Sequence, residues 1–181
     1  MDSLQGQLLL AEATLTDPNF RRTAVLVAEH SDAGALGLVL SRPTETPVTE
    51  VSAELAAVCE PGAVVHAGGP VEPGGIIVLA EFEDPGQAAM LILGGVGLLT
   101  SGAALGDLED RVRRARVFAG HAGWGPGQLE GEIEADGWMV EPAARDELFA
   151  EGADELWSRV LRRKGGRHAL LARMPDDPSV N

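Results

Sequence analysis

The chain has a single cysteine, Cys59, and few basic residues, and both shortages exclude classes of protein. One cysteine cannot form an internal disulfide or build a zinc site, and it fits a reducing compartment. The 181 residues include 28 Asp and Glu against 14 Lys and Arg, which gives a net charge of -14 at pH 7. Because affinity for phosphate backbones comes mainly from basic side chains, this charge argues against nucleic acid, without excluding it, and against anionic lipid.

The common catalytic and cofactor motifs are missing as well. The four histidines, at positions 30, 66, 121 and 168, show no HExxH or other paired spacing, and no GxSxG is present. The glycine-rich stretch HAGGPVEPGG, residues 66–75, is not followed by Gly-Lys-Ser/Thr or by a helix, and we predict a loop there. We therefore predict no metal and no cofactor, and we favour a non-enzymatic protein over an enzyme.

The sequence also lacks the pattern of a signal peptide or a membrane span. Its first residues, MDSLQGQLLLAEA, begin with an acid and contain only a short apolar run. Residues 85–106 carry no charge over 22 positions, but six glycines and a proline interrupt them. This segment predicts two short buried strands around Gly94 and Gly95. We expect a cytoplasmic protein with no membrane contact.

Short apolar runs bounded by turn residues predict strands, and other segments show helical periodicity. Gly34 supplies the positive φ of a hairpin between two of the strands, and Thr49 is the expected N-cap of the first helix, with Val51, Leu55 and Val58 on one face. Strands and helices mix without a βαβ repeat, which favours an α+β fold. We expect one domain, residues 1–173, followed by a flexible C-terminal tail, residues 174–181. The predicted strands are 7–13, 23–30, 35–41, 63–68, 75–82 and 116–121, and the predicted helices are 48–59, 104–112 and 144–164, the last broken near Gly152.

The stretch FAGHAGWGPGQLEGEIEADGW, residues 118–138, has the composition of a catalytic loop. It predicts a strand ending near His121, a glycine-rich turn, and a short helix started by Pro126 with Leu129 and Ile133 facing inward. In one interpretation the tryptophans pack and the carboxylates are solvated, which is the common outcome on short helices. In the other, Gln128, Glu130 or Glu132 is a polar group in a cleft rimmed by Trp124.

Three further side chains are candidates for a binding site. Arg22 precedes the strand 23–30, where it either clamps a carboxylate or phosphate of a ligand or pairs with Asp17 as a structural lock. His30, at the end of that strand, is a candidate base, although a lone histidine is more often structural. Arg42 belongs to the short motif SRP, residues 41–43.

Nine of the 14 basic residues fall in two runs, at residues 111–116 and 159–167. The simpler interpretation is that each run is the solvated face of a helix, paired with nearby acids. The alternative is that the two runs form local basic patches that contact DNA.

Three blocks of the sequence together resemble the YqgE/AlgH family of bacterial proteins. The blocks are GQLLLAEATLTDPNFRRTAVLVAEHSDAGALGLVLSRP, HAGGPVEPGGIIVL and GHAGWGPGQLEGEIEADGWMV. The resemblance implies an α+β single domain with mixed or antiparallel strands in a pseudo-barrel arrangement flanked by helices. Where the family usually has Asn and a basic residue before proline, this chain has Ser41 and Arg42, and His121 stands where an aromatic is common. Members are commonly described as transcriptional regulators, without an established mechanism.

Our preferred hypothesis is a regulatory protein that binds an unidentified small molecule or protein partner. It places six residues of the family blocks at one cleft: Arg22, His30, Arg42, Trp124, Gln128 and Glu132. The alternative is a transcriptional regulator that contacts DNA directly, although no helix-turn-helix pattern is recognisable. A weaker alternative is a hydrolase that uses Glu130, Glu132 and His121. Against it, side chains two residues apart on a helix diverge by about 200° and cannot form a close carboxylate pair.

Overall fold

Strands form most of the regular structure in the computed structural model, which describes residues 2–99 and 108–174. Within these ranges there are ten strands and five α-helices, with short 3₁₀ helices at Val48–Glu50, Pro85–Gln87, Arg145–Phe149 and Ala153–Glu155. The strands are β1 (Gln7–Ala11), β2 (Ala24–Ser31), β3 (Gly34–Val39), β4 (Pro43–Pro47), β5 (Val64–Ala67), β6 (Val71–Phe82), β7 (Met90–Leu93), β8 (Val96–Leu98), β9 (Val112–Trp124) and β10 (Trp138–Pro142). The helices are α1 (Ala53–Ala57), α2 (Leu108–Arg111), α3 (Gln128–Glu134), α4 (Leu156–Lys164) and α5 (Gly166–Leu171).

All ten strands belong to one sheet, with the order β10-β1-β2-β3-β9-β6-β8-β7, and in addition β5 pairs with β9 and β4 pairs with β5. The pairs are antiparallel except for β5 with β9, which is parallel. The sheet curls but does not close, because within the described part of the chain β10 pairs only with β1 and β7 only with β8. The Gln5 side chain donates to the carbonyls of Ala28 (3.0 Å) and Leu91 (3.2 Å), so the segment just before β1 lies beside β7. The predicted α+β fold with a pseudo-barrel arrangement is confirmed, as a curled open sheet flanked by helices.

The 13-residue strand β9 joins the two halves of this sheet. Its last residues pair with β3, its centre pairs with β5 through His66 and Phe118, and its first half pairs with β6. The turn between β5 and β6 approaches β9 very closely. A Cβ on Gly120 (φ 71°) would lie 2.6 Å from the Gly69 carbonyl oxygen, so only glycine fits there. The end of β5 is therefore held against the middle of β9.

Buried side chains alternate along the strands between the two faces of the sheet, because successive side chains of a β-strand point to opposite faces. On one face, Leu8, Leu26 and Leu38 pack with Phe118 and with α4. On the other face of the same strands, a second core includes Leu9. Helix α3 covers that second core. A third core lies under β6 and the first half of β9, and includes Val48, Leu55, Val78, Val112 and Val117.

The first helix begins later than the sequence predicted. Its N-cap is Ser52, whose hydroxyl accepts a hydrogen bond from the Leu55 backbone N–H at 3.2 Å, and Thr49 lies in the preceding 3₁₀ helix. Leu55 and Val58 are buried as expected, whereas Val51 is 40% exposed. The predicted N-cap at Thr49 was wrong because a second hydroxyl residue, Ser52, starts the helix three positions later.

Several strands are longer or additional. β9 begins at Val112, before the predicted strand 116–121, so residues 112–115 of the first basic run are strand and not helix, and β9 continues past His121. The predicted loop 66–75 contains the end of β5 and the start of β6. α3 follows an N-cap at Gly127, so Pro126 precedes the helix. β4, β10 and α5 had no clear periodic signal in the sequence.

The uncharged segment forms the two predicted strands, β7 and β8, on either side of Gly94 and Gly95. Among the helices that the structure describes, none is long and apolar enough to cross a bilayer. Residues 100–107, which include part of the predicted helix 104–112, and the predicted tail beyond residue 174 lie outside the described residues.

Candidate functional site

The structure brings together three of the six predicted site residues around the Glu132 carboxylate. Glu132 Oε2 accepts hydrogen bonds from the indole Nε1 of Trp124 (2.9 Å) and of Trp138 (2.8 Å). Its Oε1 accepts from Gln128 Nε2 at 2.9 Å, one helical turn away. Gln128 Oε1 in turn accepts from the Gly125 backbone N–H at 3.0 Å. We call Trp124, Gln128, Glu132 and Trp138 the Glu132 cluster.

The Glu132 cluster holds α3 against the sheet. Trp124 and Trp138 are 6% and 3% exposed, and their rings meet edge to face with centroids 6.1 Å apart. Phe20 contacts both rings, at 5.5 Å from Trp138 and 6.2 Å from Trp124. Since a buried indole N–H needs an acceptor, the carboxylate allows both tryptophans to be buried. This arrangement satisfies its donors internally, as a structural lock does.

His30 joins α3 to the N-terminal segment. Its Nδ1 accepts from the Leu4 backbone N–H at 2.9 Å, so the ring proton is on Nε2, which lies 3.0 Å from Glu130 Oε1. The His30 side chain is 5% exposed. Hydrogen bonding to its own backbone N–H, and secondarily to His30, lowers the pKa of Glu130. Glu130 and Glu132 therefore have different partners, in agreement with the divergence expected from their spacing.

The two predicted arginines lie away from the Glu132 cluster. The Arg22 guanidinium stacks 4.7 Å above the Trp157 ring and donates to the Met174 carbonyl at 2.7 Å. Arg42 donates to the Arg21 carbonyl at 2.7 Å and lines a cleft of about 200 Å³ near Pro18 and Gly69. The weaker catalytic candidate, His121, lies on β9 opposite Val71.

The described side chains of both basic runs bind groups of the same chain. In the first run, Arg113 makes two hydrogen bonds to Glu83, at 2.9 and 3.0 Å, and Arg114 pairs with Glu81 at 2.7 Å. In the second run, Arg163 pairs with Glu147 at 2.8 Å, and Lys164 pairs with Glu141. These contacts offset much of the local positive charge. They therefore do not support the alternative that the two runs form exposed basic patches.

A cleft of about 330 Å³ lies where the loop before β5 and the first half of β9 face residues 149–154. The residues that line it include His66, Arg114 and Arg116. Apolar side chains form much of the remaining wall, and three carboxylates, of Glu60, Glu151 and Asp154, also line it. We call this cavity the His66 cleft.

His66 is buried without a complete set of hydrogen bonds. The residue is 6% exposed, and its Nδ1 lies 3.2 Å from the Val64 carbonyl oxygen. A carbonyl only accepts, so Nδ1 carries the proton and Nε2 of the neutral ring is an acceptor. Among the described residues, this buried Nε2 has no hydrogen-bond partner. Burial first, and the charge of Arg116 second, lower the pKa of His66 to about 4, so the ring is neutral at pH 7.

Arg116 is a largely buried cation that binds only backbone carbonyls. Its two terminal nitrogens donate to Leu148 O and Ala150 O, each at 2.9 Å, and this ties residues 148–150 to β9. Burial lowers the pKa of Arg116 to about 10, which leaves it charged at pH 7. No carboxylate in the described ranges forms an ion pair with it. Burial also raises the pKa of Cys59 to about 11, so that nearby thiol is neutral and does not offset the charge.

The sequence interpretation missed His66 and Arg116 as site residues. The histidines were judged by their spacing along the chain, whereas His66 meets β9 through a parallel strand pair between distant segments. Arg116 was counted in a basic run interpreted as a helix face, although it is also the first residue of the predicted strand 116–121. A usable signal was present in each case: a histidine inside the apolar run AVVHAG, and an arginine directly before the apolar run VFAG.

Comparisons with known proteins agree on one family. The family model described as AlgH-like matches residues 8–169. A UPF0301 protein of Thermobifida fusca is 42% identical over 191 residues, covering 99% of this chain and 96% of that protein. A UPF0301 protein of Streptomyces coelicolor is 40% identical over 188 residues, covering 100% and 97%.

Two solved structures share the fold. A crystal structure of a Corynebacterium diphtheriae protein superposes with a TM-score of 0.85 at 27% identity, covering 95% of this chain and 92% of that one. The solution structure of the AlgH protein from Pseudomonas aeruginosa gives a TM-score of 0.73 at 29% identity, covering 97% and 96%.

Replacing the Glu132 carboxylate tests whether the Glu132 cluster stabilises the fold. Glu132→Gln puts an amide nitrogen where one acceptor oxygen was, so at least one donor loses its partner. We expect the free energy of unfolding in urea, followed by tryptophan fluorescence, to fall by about 1 to 3 kcal/mol. Glu134→Gln, an exposed position on the same helix, is the matched control and should change it little. Equal stabilities of the two variants would contradict a structural role.

The lowered pKa of His66 predicts a specific pH dependence of stability. Between the ordinary histidine value of 6.5 and the folded value of about 4, the unfolded chain binds a proton that the folded chain does not. Stability is therefore lost as the pH falls through this window, by about 2 kcal/mol between pH 7 and pH 5. His66→Phe removes this contribution, so urea unfolding at the two pH values should show a shallower loss in the variant. Parallel losses in wild type and variant would show that His66 is not buried as a neutral ring.

Proposed function

The chain belongs to the AlgH-like family, and we propose that it is a cytoplasmic protein that binds a small ligand in the His66 cleft. The observation that carries the proposal is the buried Nε2 of His66, an acceptor without a partner among the described residues, on a side chain that lines a cavity of about 330 Å³. Buried polar atoms in folded proteins are nearly always hydrogen-bonded, so each exception asks for an explanation. A ligand that donates to Nε2 supplies one.

Arg116 supports the same site. A charge taken out of water is costly unless an opposite charge and hydrogen bonds replace its hydration. The two carbonyls that Arg116 binds satisfy two of its donors but bring no negative charge. A guanidinium in this condition favours an anionic group of a ligand. The volume of the cleft lies within the range of small-molecule sites, and its wall mixes apolar side chains with a few polar groups, as such sites do.

The protonation states favour binding over catalysis. A general base works best when its pKa lies near the operating pH, and a pKa of about 4 makes His66 a weak base at pH 7. A nucleophilic cysteine needs a lowered pKa, whereas that of Cys59 is raised to about 11. Glu130 and Glu132, the carboxylates considered for a hydrolase, bind His30 and the two indoles.

Direct contact with DNA gains no support from the geometry. Most described arginines of the two basic runs bind carboxylates or carbonyls of the chain itself, and the overall charge of -14 repels a phosphate backbone. If the family's description as regulators applies to this chain, we propose that it acts through the ligand. The predicted residues Arg22, His30, Arg42, Trp124, Gln128 and Glu132 remain candidates for contact with a partner.

A thermal-shift screen tests the proposed binding function. The probes are amino acids, organic acids, sugars and nucleotides, each added to the wild-type chain, to His66→Phe and to His168→Phe. We expect at least one compound to raise the melting temperature of the wild type by several degrees, and the rise to disappear in His66→Phe, because the acceptor is gone. His168, a partly exposed residue of α5, is the control and should leave the rise unchanged. A screen without shifts, or shifts that do not depend on His66, would contradict the proposal.

A further inference from the structure

The His66 cleft constrains its ligand first through the direction of one hydrogen bond. Because the Val64 carbonyl fixes the proton on Nδ1, the free Nε2 takes a hydrogen bond and gives none. A ligand group that only accepts, such as a carboxylate or a carbonyl, is repelled by this lone pair. The ligand therefore presents an N–H or O–H group to His66.

The second constraint is the charge of Arg116, which lies close to His66. Phe118 and Arg116 are two residues apart on β9 and so point to the same face. His66 is the register partner of Phe118, and its ring contacts the Phe118 ring with centroids 5.6 Å apart. Positions two apart on a strand are separated by about 7 Å, which one small molecule bridges. The ligand therefore carries an anionic group next to its donor group.

The third constraint comes from the other charges of the cleft. Arg114 also lines it, but Glu81 and Asp146 pair with that guanidinium at 2.7 and 2.9 Å. The carboxylates of Glu60, Glu151 and Asp154 line the same cavity and are exposed. Together with the acidic surface they disfavour a dianion such as a phosphate group and favour a cationic group on the ligand. The donor that meets His66 is thus better supplied by an ammonium than by a hydroxyl.

The fourth constraint is the apolar part of the wall. Pro43, Val64, Phe149 and Ala153 contribute to it. This surface offers a favourable environment to an aliphatic or aromatic side chain, because burial of apolar area is favourable by about 25 cal/mol per Å².

We infer that the His66 cleft binds an α-amino acid with an apolar side chain as a zwitterion, its carboxylate on Arg116 and its ammonium on His66. This inference rests on the proposed binding function and names the ligand class of that site. The ammonium donates to Nε2 and lies in the field of the acidic residues, while the carboxylate supplies the ion pair that Arg116 does not form with any described residue.

Calorimetric titration with three related probes tests the inference. L-leucine has both charged groups, leucinamide lacks the carboxylate, and 4-methylpentanoate lacks the ammonium. We expect L-leucine to bind with a dissociation constant about tenfold or more below that of either analogue, because each analogue leaves one buried group unpaired. Inorganic phosphate serves as the fourth probe and should bind more weakly than L-leucine.

The His66→Phe variant makes the test specific to the hydrogen bond. It should weaken the binding of L-leucine about tenfold and leave the binding of 4-methylpentanoate unchanged, because that analogue has no group that donates to Nε2. His168→Phe is the matched control. Amide chemical shifts in ¹H–¹⁵N spectra locate the binding, and those of residues 60–66 and 114–117 should move. Circular dichroism of each variant confirms that it is folded.

The outcomes separate this inference from the proposed function. Equal binding of L-leucine and either analogue, tighter binding of phosphate, or shifts confined to another surface would overturn the amino-acid ligand. If L-leucine does not bind while another class of compound raises the melting temperature in a His66-dependent way, the cleft is still a ligand site and only the inferred ligand class is wrong. If no compound depends on His66, both proposals fail.

Discussion

The backbone pairing of β9 with three other strands is the constraint on which the rest of the structure depends. Its 13 residues pair with β3, β5 and β6, and so connect the β10-β1-β2-β3 half of the sheet with the β6-β8-β7 half. The close approach of the β5–β6 turn to β9 requires glycine at position 120. This packing positions His66 beside Phe118 and leaves the neighbouring Arg116 at the edge of a cavity. The same strand ends at Trp124, which anchors α3 through Glu132.

The Glu132 cluster and the His66 cleft, which both include residues of β9, differ in whether their buried polar groups are paired. Around Glu132, two indoles and an amide donate to one carboxylate, and the donors are satisfied within the chain. In the His66 cleft, a buried acceptor has no partner among the described residues, and a largely buried cation binds two carbonyls but forms no ion pair with those residues. Buried polar groups stabilise a fold only when they are paired, since each unpaired one costs about 1 to 3 kcal/mol. We therefore interpret the unpaired groups of the cleft, on His66 and Arg116, as a site that a ligand completes.

Apolar runs, turn residues and helical spacing in the sequence predicted the elements that depend on neighbouring residues. The hairpin of β2 and β3 follows from apolar runs on both sides of Gly34, and the inward residues Leu129 and Ile133 of α3 follow from their helical spacing. The extension of β9 into the basic run could not be predicted in this way, because its arginines find partners on β6 and in residues 146–150. The pairing of β5 with β9 likewise joins distant segments. The family blocks predicted the fold. The position of His66 beside β9 became known only from the strand pairing in the structure.

The central claim is that His66 is a neutral ring with its proton on Nδ1 and a free acceptor at Nε2. Long-range ¹H–¹⁵N correlation spectra of the histidine rings at pH 7 report the protonation of each ring nitrogen. We expect a protonated Nδ1 and an unprotonated Nε2 for His66, and a protonated Nε2 for His30, whose Nδ1 accepts from Leu4. A protonated Nε2 on His66, as the other tautomer or as the imidazolium, would contradict it.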